Sequence, residues 1–123
     1  MDTKFLVPYE TAQLLKEKGY EAETDYYYNK ETKSITPLRD LKNEWYPDSL
    51  QKVIDARYTP APTYHEVLDW LGCHGCYAGT AHNYYGVITY YFFLGEKFYS
   101  PRYAYKTRED ALNAAILETL KRL

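Results

Sequence analysis

With 123 residues, two cysteines and a formal net charge of −2, the chain is long enough for one hydrophobic core without a disulfide framework or a stapling metal. That charge gives no global attraction to nucleic acid or to an anionic membrane surface, and no apolar run is long enough to span a bilayer. The opening MDTKFLVPYE lacks the apolar centre of a signal peptide, so the expected setting is the cytoplasm.

In chain order, the first element is a helix from Pro8 to Lys18. Pro8 suits a first turn, Ala12, Leu14 and Leu15 supply apolar positions, and Gly19 is a C′ residue with Tyr20 folding back onto Leu15. Thr24–Tyr28 and Lys33–Pro37 read as a hairpin turning at Asn29-Lys30-Glu31-Thr32, where Asn favours the turn start. Residues 38–59 carry two readings. Leu50, Val53 and Ile54 have helical spacing after Pro47-Asp48-Ser49, but an irregular crossing pinned to the core by Trp45 and Tyr46 fits as well.

Thr63-Tyr64-His65-Glu66 is a capping box, followed by Tyr64, Val67, Leu68 and Leu71 on one face and a stop at Gly72. The stretch Tyr84–Tyr105 is the most aromatic in the chain. Val87–Leu94 is all β-branched, aromatic or leucine, Gly95-Glu96-Lys97 turns, and Phe98-Tyr99 resumes, which predicts an antiparallel hairpin. The unbroken apolar run makes Val87–Leu94 the inner strand of a sheet, and Pro101 limits the second strand. A last helix starts at the Thr107 cap and buries Leu112, Ala115, Ile116, Leu120 and Leu123, with Asn113, Glu118 and Thr119 facing water. The fold class is therefore α+β, a single domain over residues 1–123 with a small antiparallel sheet centred on Val87–Phe93. The Pro8, Thr63 and Thr107 helices are expected on one face of it.

The segments VPYETAQLLKEKGY, PAPTYHEVLDWL and REDALNAAILETLKRL resemble those of a family of small uncharacterised proteins from phages, prophages and mobile elements of Bacteroides-type bacteria. The resemblance covers Val7–Tyr20, Pro60–Leu71 and Glu109–Leu123, about a third of the chain, and rests on caps, helix stops and core stripes. It implies an α+β domain in a phage or mobile-element setting and no particular reaction. Where such proteins continue the middle helix into a charged end, this chain has Gly72-Cys73-His74-Gly75-Cys76.

That CxxC pair is the candidate for chemistry. Cys73 and Cys76, with His74 and His82, could hold zinc, although a structural zinc site normally uses two separated ligand pairs. A redox dithiol would need a helix starting at the first cysteine, and Cys73 instead follows a helix stop. No cofactor is called for. Sixteen tyrosines suit rings at the core boundary, and they also suit a contact face, since Tyr is enriched at interfaces. On the second strand Tyr99, Arg102, Tyr103, Tyr105 and Lys106 interleave aromatic and basic groups, flanked by Lys97 and Arg108. The expectation is a non-enzymatic protein that binds another protein through this tyrosine-rich surface, or a homo-oligomer. Zinc binding and weak single-stranded nucleic-acid binding by stacking are the alternatives.

Overall fold

Gly19 ends the first helix as its position requires. At φ 98° it lets the chain reverse, and the Tyr20 N–H donates to the Leu15 carbonyl at 2.9 Å while the Gly19 N–H donates to that of Lys16 at 3.1 Å, a full Schellman motif. The computed structural model describes residues 5–82, 87–100 and 103–123. Its elements in order are α1 (Tyr9–Glu17), β1 (Tyr26–Asn29), β2 (Ile35–Pro37), α2 (Leu38–Glu44), α3 (Pro47–Arg57), β3 (Tyr58–Pro60), α4 (Tyr64–Cys73), β4 (Cys76–His82), β5 (Ile88–Leu94), β6 (Lys97–Tyr99) and α5 (Arg108–Lys121). The α+β class holds. The strands, however, divide between two antiparallel three-stranded sheets, ordered β2-β1-β3 and β4-β5-β6. The chain correspondingly forms two units, Leu6–Pro62 and Thr63–Leu123 with Phe5.

In the first unit the early hairpin forms as expected, but its other neighbour is β3 and not the aromatic hairpin. The Asn29 side-chain oxygen accepts from the Glu31 and Thr32 N–H groups at 2.8 and 3.1 Å, and Lys33 takes the left-handed conformation at φ 60°. Residues 38–59 resolve into two helices and most of a strand. Pro47 opens α3, and Leu41 and Ile54 pack with Tyr27 into a core flanked by Leu38, Trp45, Leu50 and Tyr58. Trp45 thus joins the core as expected. Tyr46 does not, since it is 83% exposed and serves as the N-cap position of α3.

In the second unit the capping box is complete. The Glu66 N–H donates to Thr63 Oγ1 at 3.1 Å, and the Thr63 N–H donates to Glu66 Oε1 at 2.9 Å. Thr63→Ala is therefore expected to lower stability by about 1 kcal/mol, read from urea unfolding, with Thr63→Ser close to the native protein. The helix runs past Gly72 to Cys73, and the left-handed residue that ends it is Gly75, at φ 73°. A stop at Gly72 misses this because a single glycine can sit inside a helix at a cost of only about 1 kcal/mol. In α5, Ala115, Ile116 and Leu120 are buried as the stripe predicts and Ala111, outside it, is buried too, whereas Leu123 is 44% exposed and Leu112 half-buried. Thr119 was expected in water and is fully buried. Its hydroxyl donates to the Ala115 carbonyl at 2.7 Å, which satisfies the polar atom inside the helix.

Candidate functional site

β5 is the inner strand, as its apolar run indicates, but it lies between two strands of different legibility. β6 is the hairpin partner across a turn at Gly95 (φ 59°), with Phe93 opposite Phe98 and Phe92 opposite Tyr99. On the other side lies β4, CYAGTAH, which the sequence leaves as loop. Its small residues carry little strand propensity, and pairing along the whole of β5 overrides that.

Alternation along these strands separates two aromatic faces. Ala78, Ile88, Tyr90, Phe92, Leu94 and Tyr99 pack toward Ala111, Ala114 and Ala115 of α5. Within this layer Phe92 stacks on Tyr99 at 4.8 Å and 12°, and the Arg122 guanidinium lies 5.2 Å from both rings. Arg122 also holds Glu118 at 2.7 Å, and this hydrogen bond keeps the Glu118 carboxyl below its usual range. The opposite face carries Tyr77, Gly79 and Ala81 of β4, Thr89, Tyr91 and Phe93 of β5, and Phe98 of β6. Here Phe93 and Phe98 lie 4.9 Å apart, and Tyr91 lies 6.2 Å from each of them. Tyr77 and Phe98 are 59% and 57% exposed. Gly79 is what gives Tyr91 its place. A Cβ there would stand 2.6 Å from the Tyr91 hydroxyl, so the ring lies flat across β4 only because that side chain is missing.

The residues expected to form a contact surface are split by the same alternation. Tyr99 belongs to the layer under α5. Tyr105 packs on Tyr90 at 5.7 Å, and its N–H donates to the Ile88 carbonyl at 3.0 Å. Tyr103, 64% exposed, and Lys106 are at the surface, and Arg102 lies outside the described residues. Lys97 and Arg108 are also exposed, so the basic groups are present without the two tyrosines that were to interleave them. The signal for the other face was available: Tyr91 and Phe93 alternate with Tyr90 and Phe92, and a hairpin closing at Gly95 puts Phe98 beside Phe93.

The candidate metal ligands are not gathered. Cys73 closes α4 and is exposed, whereas Cys76 opens β4 and is 3% exposed. Burial pushes the Cys76 thiol up, away from the thiolate that binds metal or attacks disulfides. His74 turns back onto its own helix, its Nδ1 2.9 Å from the Trp70 carbonyl and its ring 4.3 Å from the Trp70 ring. His82 ends the strand that Cys76 begins, and six residues of extended chain separate them by about 20 Å. Among the described residues no group of three or more His, Cys, Asp or Glu side chains could hold a metal ion. None of the helices among them is long and apolar enough to cross a membrane.

The first unit contains a cleft of about 570 Å³ bordered by Lys16, Lys42, Glu21, Glu23 and Asp55 over a floor that includes Tyr27 and Ile54. One of its two lysines is already employed: Lys16 Nζ donates to the Tyr58 carbonyl at 3.4 Å, as Lys30 Nζ does to that of Asp55 at 3.1 Å, so Lys16 and Lys30 serve the end of α3. Burial, then the neighbouring Lys30, lowers the Lys16 pKa. Comparison with protein-family models, with curated proteins and with solved structures gives no match to this chain.

Proposed function

We propose that this chain is a non-enzymatic accessory protein, in the phage or mobile-element setting that its helices resemble, and that it binds another protein on the aromatic face of the β4-β5-β6 sheet. The observation that supports this most is that Tyr91, Phe93 and Phe98 touch one another on a face where Phe98 and Tyr77 remain more than half exposed. Contiguous exposed aromatic surface is costly to leave in water, and rings with few rotatable bonds make good contact anchors. A catalytic reading has less to stand on, because the Cys76 thiol is buried with its pKa raised and His74 is spent on its own helix.

The test places a photocrosslinking phenylalanine analogue at Phe98 or, as a control in the other unit, at the 83%-exposed Tyr46. In the protein's own cells, irradiation should yield a discrete protein adduct from position 98 that disappears when Tyr91→Ser and Phe93→Asp are added. Identical adducts from positions 98 and 46, or an adduct indifferent to the two face substitutions, would sink the reading.

A further inference from the structure

The hydrogen-bond phase of β4 can be worked out from three contacts. The Gly95 N–H donates to the Gly75 carbonyl at 3.0 Å, in the same register that pairs Cys76 with Leu94. In an antiparallel ladder this makes the odd-numbered residues of β4 the ones whose backbone groups point at β5. Two other bonds agree. Thr89 Oγ1 reaches the Ala81 carbonyl at 3.5 Å, and the Ile88 carbonyl, opposite His82, points away from β4 to accept from Tyr105. The N–H and C=O groups of Ala78, Thr80 and His82 therefore point away from β5, along the other edge of the sheet. Among the described residues they take part in no backbone hydrogen bond outside the sheet.

Edges of this kind usually carry a lysine, a proline or a bulge that discourages pairing. From Cys76 to Ala81 this one has no charge and no proline, and its pairing to β5 is continuous. We infer that β4 pairs antiparallel with β4 of a second copy of this chain about a two-fold axis at Gly79, making one six-stranded sheet. Outward-pointing residues must face outward-pointing residues, which axes at Ala78, Gly79 and Thr80 all satisfy. The axis at Gly79 sets Ala78 of one copy against Thr80 of the other and Gly79, without a side chain, against Gly79. On the aromatic face the same register sets each Tyr77 opposite an Ala81, large against small. A slip of one residue would turn bonded groups away from each other and is excluded.

Area argues for the same occupant, and here the inference rests on the aromatic face proposed above. With an aromatic side chain presenting about 150–250 Å², the half-exposed Tyr77 and Phe98 and their partly covered neighbours leave roughly 300–400 Å² on one copy. A standard interface needs about 800 Å² per partner. An axis perpendicular to the sheet puts both aromatic faces on one side, with the two Tyr91 rings leaning toward the axis, and the joined surface of roughly 600–800 Å² approaches that size.

Sedimentation equilibrium of the full chain from low to high micromolar concentration reads the inference directly. The 14.5 kDa chain should pass to twice that mass. Thr80→Pro removes an N–H that β5 does not use and should leave a monomer with an unchanged far-UV spectrum, while Thr80→Ala still dimerises. A native chain that stays monomeric throughout, or a dimer that Thr80→Pro leaves intact, overturns it. Should Thr80→Pro fail to fold, amide exchange in the native chain decides. Protection at Ala78 and Thr80 should rise at least about tenfold across the concentration range, while Tyr77 and Gly79 stay protected throughout. Exchange independent of concentration at all four would likewise overturn it. Thr80→Pro leaves the aromatic rings in place, so loss of the dimer and loss of the Phe98 crosslink are separate results.

Discussion

Phe92→Ala is expected to destabilise the second unit by about 3–5 kcal/mol, the range for emptying a fully packed aromatic site. Phe92 is 1% exposed, sandwiched in the layer that joins Tyr90 and Tyr99 to the alanines of α5. The deletion removes more than one ring's burial. Tyr99 loses its stacking partner at 4.8 Å, and Arg122 loses one of the two rings it covers. The informative control is the next residue. Phe93 has the same chemistry, the same strand and a position one step along, but it faces Phe98 on the open side and is half-buried. Phe93→Ala should cost less than half as much in urea unfolding followed by near-UV circular dichroism. Equal losses at the two positions would mean that both faces of β5 are packed alike, and the aromatic face would lose its claim as a contact surface.

That pair also shows where sequence reasoning reached and where it stopped. The run Val87–Leu94 announces an inner strand because nearly every residue in it suits a pleated surface, yet by the same token it hides which alternate residues are covered. The choice between the two faces is made by α5. Its small Ala111, Ala114 and Ala115 let the helix approach the even-numbered rings, a fact of tertiary packing that strand composition does not contain. The basic-aromatic interleaving of Tyr99, Tyr105 and Lys106 was real in sequence but not in space, because Phe98 and Tyr99 point to opposite sides of the sheet. Caps were legible since they are local. Thr63-Glu66, Thr107 and Gly19 each need only a few neighbouring atoms, and each forms. The helical spacing of Leu50, Val53 and Ile54 after Pro47 likewise pointed to α3, but β4 and the strand Tyr58–Pro60 were not legible, because Ala78, Gly79 and Thr80 pair with a partner ten or more residues away and Tyr58–Pro60 is defined by its pairing to β1.

Above the ordinary range of phenol titration the fold should weaken steeply, and Tyr28 is the residue that reports it most cleanly. Its hydroxyl donates to the Val7 carbonyl at 2.6 Å in a buried setting, and desolvation, reinforced by Glu10, raises its pKa above the ordinary tyrosine value of 10.0. Tyr90 and Tyr105 are raised as well, first by burial and then by a neighbouring phenol, Tyr105 beside Tyr90 and Tyr103 beside Tyr105, and burial raises Cys76 above 9.0. All four groups bind their protons more tightly folded than unfolded. Their contribution is therefore fully present below the unfolded values, and it is lost as pH rises through the higher folded ones. The urea midpoint should accordingly be insensitive to these groups near neutrality and fall progressively from about pH 9 upward. Tyr28→Phe separates the two roles of the hydroxyl. At neutral pH it should cost about 1–3 kcal/mol, because the Val7 carbonyl is left buried without its donor. At alkaline pH its curve should fall less steeply than that of the native protein, because one titrating group is gone. If the two curves stay parallel from neutral to alkaline pH, the burial of Tyr28 contributes nothing to alkaline unfolding, and the loss must come from the groups around Tyr90.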